Sequence, residues 1–302
     1  MTSSSELGGL GVVARLRSVV EESTACALPG VSIKYDSFIP CMWQAVARGF
    51  VRHEDAVFVG NGLRHGFTAG VDVARMRGHR WFNNYQSAID GRDAVTKAIM
   101  KRVETGKTIS LGLWNPELAS ELRATFGASA IFPMGAVAKN VMEFDGEMRP
   151  TSDHTRTGLN AATDLGALRH SLDTYNEIAS FLQLDYFMRV SDVEAAFPML
   201  PLHPDVWPFF LFRFFSDASS TDLTLYLHVC GDFGAAGMPG TFKVFFADVV
   251  VGMARSMRVL TLPMPIYVDD CTLIGKCQVE VDAEMDAFHD WALSICGRPV
   301  TT

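Results

Sequence analysis

The sequence predicts an α+β fold, and three observations carry that prediction. Helical and strand-like patterns interleave without the regular strand–helix–strand alternation that builds a parallel sheet. Two apolar runs, Ile266-Tyr267-Val268 and Cys271-Thr272-Leu273-Ile274, flank Asp269-Asp270, which is the pattern of a tight antiparallel hairpin with acids at its tip. The 302 residues are 48% hydrophobic and 11% aromatic, enough to give one large domain or two ordinary ones a substantial core.

Residues 1–57 read as helical pieces with loops and carry no identifiable chemistry; a helical extension is expected over 1–60. The stretch from Val59 to Gly66 holds three glycines and an asparagine and reads as a turn-rich boundary. From Asn84 to Glu104 the spacing of Ala88, Ala94, Val95, Ile99 and Val103 predicts an amphipathic helix ended by Gly106. Residues 130–153 read as two short strands around a polar loop at Asp145-Gly146. Leu168 to Leu182 is helix-like, and Tyr186 to Phe197 is strand-like with Met188, Val190 and Asp192 on one face. Pro239 to Met257 predicts one long helix with Pro239 in its first turn.

The formal charge is −8, which on its face argues against a nucleic-acid partner. The charge is unevenly spread. From Arg64 to Arg156 there are 13 Lys and Arg against 10 Asp and Glu; from Thr157 to the end there are 8 against 18. Part of that acidity could serve a Mg²⁺ site, which needs carboxylate oxygens, and the rest reads as solvated surface. The six cysteines form no C-x-x-C pair, so the expectation is a reduced, intracellular protein of the cytoplasm and/or nucleus. Arg15, Arg17, Glu21 and Glu22 make the N-terminus a poor signal peptide. The most apolar stretch, Val244 to Val268, is cut by Asp248, Arg255, Arg258 and two prolines, so no membrane span is expected. The sequence carries no signal of oligomeric state.

Four segments bear chemistry, and each has a plain alternative. In Tyr267-Val268-Asp269-Asp270 two adjacent carboxylates repel, and a divalent cation would offset the repulsion; the alternative is a solvated Asp-Asp turn. In Arg189-Val190-Ser191-Asp192-Val193-Glu194-Ala195-Ala196-Phe197 an acid near a strand end precedes small residues and one aromatic; such an Asp more often serves as a cap or turn residue. Gly231-Asp232-Phe233-Gly234-Ala235-Ala236-Gly237-Met238-Pro239 is a glycine-rich loop before a helix, suited to close backbone approach to a ligand or simply to a turn. In Met148-Arg149-Pro150-Thr151-Ser152-Asp153 the guanidinium suits phosphate oxygens, and a solvated surface arginine is the default. His203, His228 and Cys230 find no fourth zinc ligand at a supporting spacing. His154 reads as a hairpin residue, and no Ser-His-Asp arrangement is visible.

Taken together and in order, these segments resemble the motifs of reverse transcriptases: Asp192 with Phe197, then Phe233-Gly234-x-x-Gly237-x-Pro239-x-x-Phe242, then Tyr267-Val268-Asp269-Asp270. Asp192 lies 41 residues before Phe233 and 77 before Asp269, a spacing like that of compact retroviral and retrotransposon enzymes. Phe132 to Lys139, with Arg149-Pro150 and Asp153, is similar to their fingers hairpin. Gly62-Leu63-Arg64-His65-Gly66-Phe67 resembles a segment ahead of the polymerase in DIRS-like, tyrosine-recombinase retrotransposons. The resemblance covers about 130–300, extends into 58–130 and leaves 1–57 unmatched.

The resemblance implies an RNA-directed DNA polymerase with a right-hand fold. Its fingers would come from about 61–167 and 203–232 and its palm, with an antiparallel sheet, from about 168–202 and 233–302. Thumb, connection and RNase H regions would be missing. It implies that Asp192, Asp269 and Asp270, with the Val193 carbonyl, hold two Mg²⁺ ions, Mn²⁺ being an alternative. Ala195, Ala196 and Arg149 would hold the triphosphate, with Lys139 assisting. Phe197 would exclude a ribose 2′-hydroxyl, and Phe233 and Gly234 would shape the nucleotide pocket; many relatives carry Gln where this chain has Phe233. The implied partners are an RNA or DNA template with its primer and deoxynucleoside triphosphates. The rival expectations are a non-catalytic remnant that at most binds nucleic acid and an unrelated metal hydrolase using the same acids.

Overall fold

The computed structural model describes residues 32–138, 148–168, 175–217, 219–297 and 300–301. In chain order it begins with helices α1 (Tyr35–Ala47) and α2 (His53–His65), strand β1 (Gly78–Trp81), and helices α3 (Gln86–Asp90) and α4 (Arg92–Glu104). Then come β2 (Thr108–Leu113), α5 (Pro116–Thr125), β3 (Ala128–Phe132), β4 (Met134–Ala138), β5 (Met148–Ser152), α6 (Tyr175–Ser180) and β6 (Phe187–Val193). The remainder is β7 (Leu211–Phe215), β8 (Leu223–His228), α7 (Met238–Lys243), a π-helical segment (Val244–Val250), α8 (Val251–Ser256), β9 (Ile266–Tyr267), β10 (Asp270–Gly275), α9 (Gln278–Cys296) and β11 (Val300–Thr301). The class is α+β. Among the described residues no helix is long and apolar enough to cross a membrane.

The chain divides into two units. The described residues of the first lie within 64–164 and 201–238 and are built on a mixed five-stranded sheet in the order β1-β3-β7-β8-β2. β1, β3 and β7 run parallel, while β7–β8 and β8–β2 are antiparallel. This sheet therefore mixes parallel with antiparallel pairs. Residues 82–127, rich in helix, separate β1 from β3 and supply the long crossover that parallel pairing needs. Helices α3 and α4 contribute Ala88, Val95 and Ile99 to a core completed by Phe132, Phe212, Phe214 and Tyr226 from the strands. β4 and β5 form the separate hairpin expected over 130–153, in register from Met134↔Ser152 to Ala138↔Met148; its loop, with Asp145 and Gly146, lies outside the described residues.

The second unit takes 32–63, 165–200 and 239–302. Its four-stranded sheet has the order β11-β6-β10-β9, antiparallel at every pairing. Helix α9 packs on one face. Burial alternates along β6 and the first half of β10 as pleating demands: Ser191, Val193 and Cys271 are buried while Asp192, Val190, Met188 and Asp270 are exposed. On the buried side Ser191 Oγ meets His289 Nε2 of α9 at 2.8 Å, and Arg189 reaches Asp286 at 2.8 Å. Aromatic packing fixes the other helices: Phe245 stacks on Phe38 of α1 at 5.8 Å and Phe246 on Phe242 at 5.4 Å.

Three local expectations change. The turn-rich stretch from Val59 to Gly66 is the second half of α2. Ala56, Val59 and Leu63 are buried on one helical face, and burial of that face outweighs the poor helix propensity of Gly60 and Gly62. The helix ends at Gly66, whose φ of +91° and close approach to the backbone of Leu202 and His203 leave no room for a Cβ. The helix expected over 84–104 is broken at Gly91 into α3 and α4. The helix expected over 239–257 is continuous from Met238 to Ser256, but its middle is a π-helical segment. Of the helix expected over 168–182, the described part is α6.

Candidate active site

β6 and β10 pair over six residues, from Asp270↔Asp192 to Gly275↔Phe187. Residues directly opposite on antiparallel strands share a face with Cβ atoms about 4.5–5.5 Å apart. Asp192 and Asp270 therefore project side by side from the face opposite α9, and both are exposed. Like charges in this position repel, and a bound cation would offset the repulsion.

The hairpin tip brings in the third acid. Tyr267 pairs with Asp270, leaving Val268-Asp269 as a two-residue loop. Val268 has φ +58°, the positive value that the first position of a type II′ hairpin turn requires. A β-branched residue there is strained, at a cost of about 1–3 kcal/mol, so the surrounding pairing must hold it. One such restraint is visible: the Asp269 carbonyl accepts the Val193 N–H at 3.1 Å, tying the tip to the end of β6. On the outer edge of β6, Thr301 of β11 is the register partner of Asp192, and Val300 that of Val193.

The buried Cys271 thiol registers the acidity of this corner. Its pKa is pushed up by burial first and then by the charges of Asp270, Asp192 and Asp269, all three of which act on the one sulfur. The donor chemistry suits a hard divalent cation, since carboxylate oxygens are what Mg²⁺ prefers. The side chains themselves stay spread: among the described residues no three His, Cys, Asp or Glu side chains gather closely enough to hold a metal ion. The backbone brings the acids together, with Asp192 and Asp270 exposed and Asp269 half-buried.

The turn after β6 carries the next candidates. Ala195 has φ +54°, and its carbonyl accepts the Met199 N–H at 3.0 Å, opening a short 3₁₀ turn over Phe197–Met199. Ala196 is buried, and Phe197 is only 5% exposed, its ring set edge-on against Phe242 of α7 at 6.0 Å. All six of these residues, with Val193, belong to the second unit.

Arg149, Phe233 and Gly234 belong to the first. Arg149 is exposed on β5 opposite Val137. Lys139 lies outside the described residues. Phe233 is 48% exposed. Gly234 has φ +97°, and a Cβ there would strike the Ser152 carbonyl, so this glycine is required by both conformation and space.

Sequence reading missed a buried cluster under that loop. Asp232, 3% exposed, accepts Arg102 Nη1 at 2.8 Å and meets His154 Nε2 at 3.1 Å and His228 Nε2 at 3.7 Å. Thr108 Oγ1 lies 2.7 Å from His228 Nδ1. Burial opposes the charge on Asp232, but the fields of His228 and Arg102 and the hydrogen bond from His154 hold its carboxyl far below the usual range. Burial, and then the Arg102 charge, depress His228 well below the ordinary imidazole value. Thr108, His228 and Asp232 have the types of a catalytic triad, but their burial shuts out any substrate. The only local signal was the acid between two glycines; its partners lie far away in sequence.

No family model matches the sequence, and no curated protein matches it. Solved structures do. The selenomethionine-labelled CSH mutant of prototype foamy virus protease–reverse transcriptase aligns with a TM-score of 0.51 at 14% identity, covering 73% of this chain and 24% of that one. The native form of the same protein aligns with a TM-score of 0.50 at 16% identity over 74% and 25%. This chain spans about a quarter of the length of these solved chains. At such identity the likeness shows the fold alone, a reverse-transcriptase-like α+β arrangement.

Proposed function

We propose that this chain is the fingers-and-palm part of a reverse transcriptase of a retrotransposon, of the DIRS-like or retroviral type, adding deoxynucleotides to a primer 3′-hydroxyl on an RNA or DNA template. The observation that carries the reading is the in-register pairing of Asp192 with Asp270 beside a strained tip held by the Asp269 carbonyl. A strained turn that presents like charges is costly to build, and a bound cation would offset part of that cost. The reverse-transcriptase-like fold and the order of the four motifs support the same reading. In this scheme the palm is about 168–202 and 233–302, and the fingers are about 61–167 and 203–232.

Asp192, Asp269 and Asp270, with the Val193 carbonyl, would hold two Mg²⁺ or Mn²⁺ ions. When bound, such ions supply activation of a hydroxyl and charge neutralisation at the leaving pyrophosphate. The chain's own residues do the rest. Arg149 and Lys139 offer cationic donors to triphosphate oxygens, and the backbone amides at Ala195 and Ala196 offer neutral ones. Phe197, buried to 5% exposure and set edge-on against Phe242, would be the wall that excludes a 2′-hydroxyl. Phe233 and Gly234 shape the nucleotide side of the pocket. The template is read by base pairing, so the protein holds it by shape and backbone contacts.

One observation favours the alternative of a non-catalytic remnant that binds nucleic acid without extending it: the three carboxylates are not drawn together as a ligand set. Primer extension on an RNA template with Mg²⁺ and deoxynucleotides separates the two. Extension by the wild type and none by Asp269→Asn supports the polymerase; binding of template–primer without product in either supports the remnant.

A further inference from the structure

Asp232 sits at the convergence of four parts of the first unit. Arg102 comes from the last turn of α4, Thr108 from the start of β2, His228 from the end of β8, and His154 from the segment after β5. Arg102 also donates through Nη2 to the Gly231 carbonyl at 3.2 Å, so one guanidinium holds both residues that precede Phe233. On the other flank Asn160 makes a paired contact: its Nδ2 donates to the Gly234 carbonyl at 3.0 Å and its Oδ1 accepts the Ala236 N–H at 2.8 Å. Between these two clamps the Phe233 ring projects, about half exposed.

Such a construction is poor economy if stability is its purpose. A buried ion cluster gains little over well-packed apolar side chains, while the loss of one partner leaves an uncompensated charge. What it does provide is a fixed chain path on both sides of one aromatic ring. A half-exposed aromatic on a rigid loop is a platform for a flat or apolar ligand surface, because holding it in place beforehand removes the ordering cost at binding.

We propose that Asp232 and Asn160 are positioning residues that hold the Phe233 ring as a preset platform for the base or sugar of an incoming deoxynucleotide. This rests on the polymerase reading for the identity of the ligand, but not for the positioning itself. Neither residue touches the nucleotide; both act through Phe233.

The test uses the full chain with 4-fluorophenylalanine at position 233, in the wild type, Asp232→Asn and Asn160→Ala. The wild type gives one narrow ¹⁹F resonance, and each variant gives a broadened or split one while circular dichroism still shows a folded chain. A folded variant with an unchanged ¹⁹F line overturns the positioning role. Asn160 lies partly at the surface, so Asn160→Ala decides the matter if Asp232→Asn fails to fold. In primer extension the same variants raise the KM for deoxynucleotide about tenfold or more with kcat nearly unchanged. A loss of kcat at constant KM, the mark of a smaller folded fraction, overturns the proposal. A wild type that extends no primer overturns the polymerase reading instead, and the ¹⁹F lines then decide the positioning claim alone.

Discussion

Asp192 and Asp270 stand opposite each other on neighbouring strands, where like charges repel. Removing one charge should relieve the repulsion. Asp270→Asn is expected to stabilise the chain by about 0.2–1 kcal/mol in EDTA and to diminish the rise in melting temperature on adding Mg²⁺. Thermal denaturation with and without the cation reads both effects; a lower melting temperature in EDTA would show that the two carboxylates do not oppose each other. Phe197 offers a second test at this scale. Its buried ring packs against Phe242, so Phe197→Ala opens space beside the end of β6 and also costs about 3–5 kcal/mol of stability. The variant should incorporate ribonucleotides that the wild type rejects, by about 2 kcal/mol less discrimination, measured as the ratio of kcat/KM for the two sugars. Unchanged discrimination in an active variant removes Phe197 from the gate role.

At the scale of elements, the cluster under the loop after β8 makes stability depend on pH. His228 is depressed in the folded chain, so the unfolded chain, titrating near about 6.5, binds a proton that the folded chain refuses as the pH falls. Asp232, held low in the fold, acts in the same direction at more acid pH: the stability it gives is present above the unfolded value of about 3.9 and is lost as the pH falls through the folded one. Stability should therefore be fullest above about pH 6.5 and decline below it, by at most about 1.4 kcal/mol per pH unit from His228. Urea denaturation between about pH 5 and 7 should show this slope in the wild type and a flatter one in His228→Gln; equal slopes would contradict it. None of this was legible in the sequence. The β9–β10 hairpin was, because alternating apolar residues and a two-residue turn are local signals. Arg102, Thr108, His154, His228 and Asp232 have no common spacing, and only the tertiary fold brings them together. The helix through Gly60 and Gly62 was misread for a related reason: local propensity said turn, and burial of Val59 and Leu63 decided otherwise.

At the scale of the whole molecule, the interleaving of helices with hairpins was enough to place the chain in the α+β class, and the fold resembles that of reverse transcriptases. The pairing of distant strands was beyond sequence reading. Register between β6 and β10 is set by which faces α9 can cover, and a slip of one residue would turn Asp192 toward that helix. The parallel pairing of β1, β3 and β7 left no local signal, because residues 82–127 and 133–210 separate the partners. The central claim concerns three carboxylates brought by the backbone to one corner. Primer extension with purified full chain on an RNA template, with Mg²⁺ and deoxynucleotides, tests it most directly. The account predicts extension by the wild type and its loss, by about three orders of magnitude or more, in Asp192→Asn and in Asp269→Asn, with template–primer affinity retained. Equal extension by the wild type and both variants, or none by any of them, would contradict it.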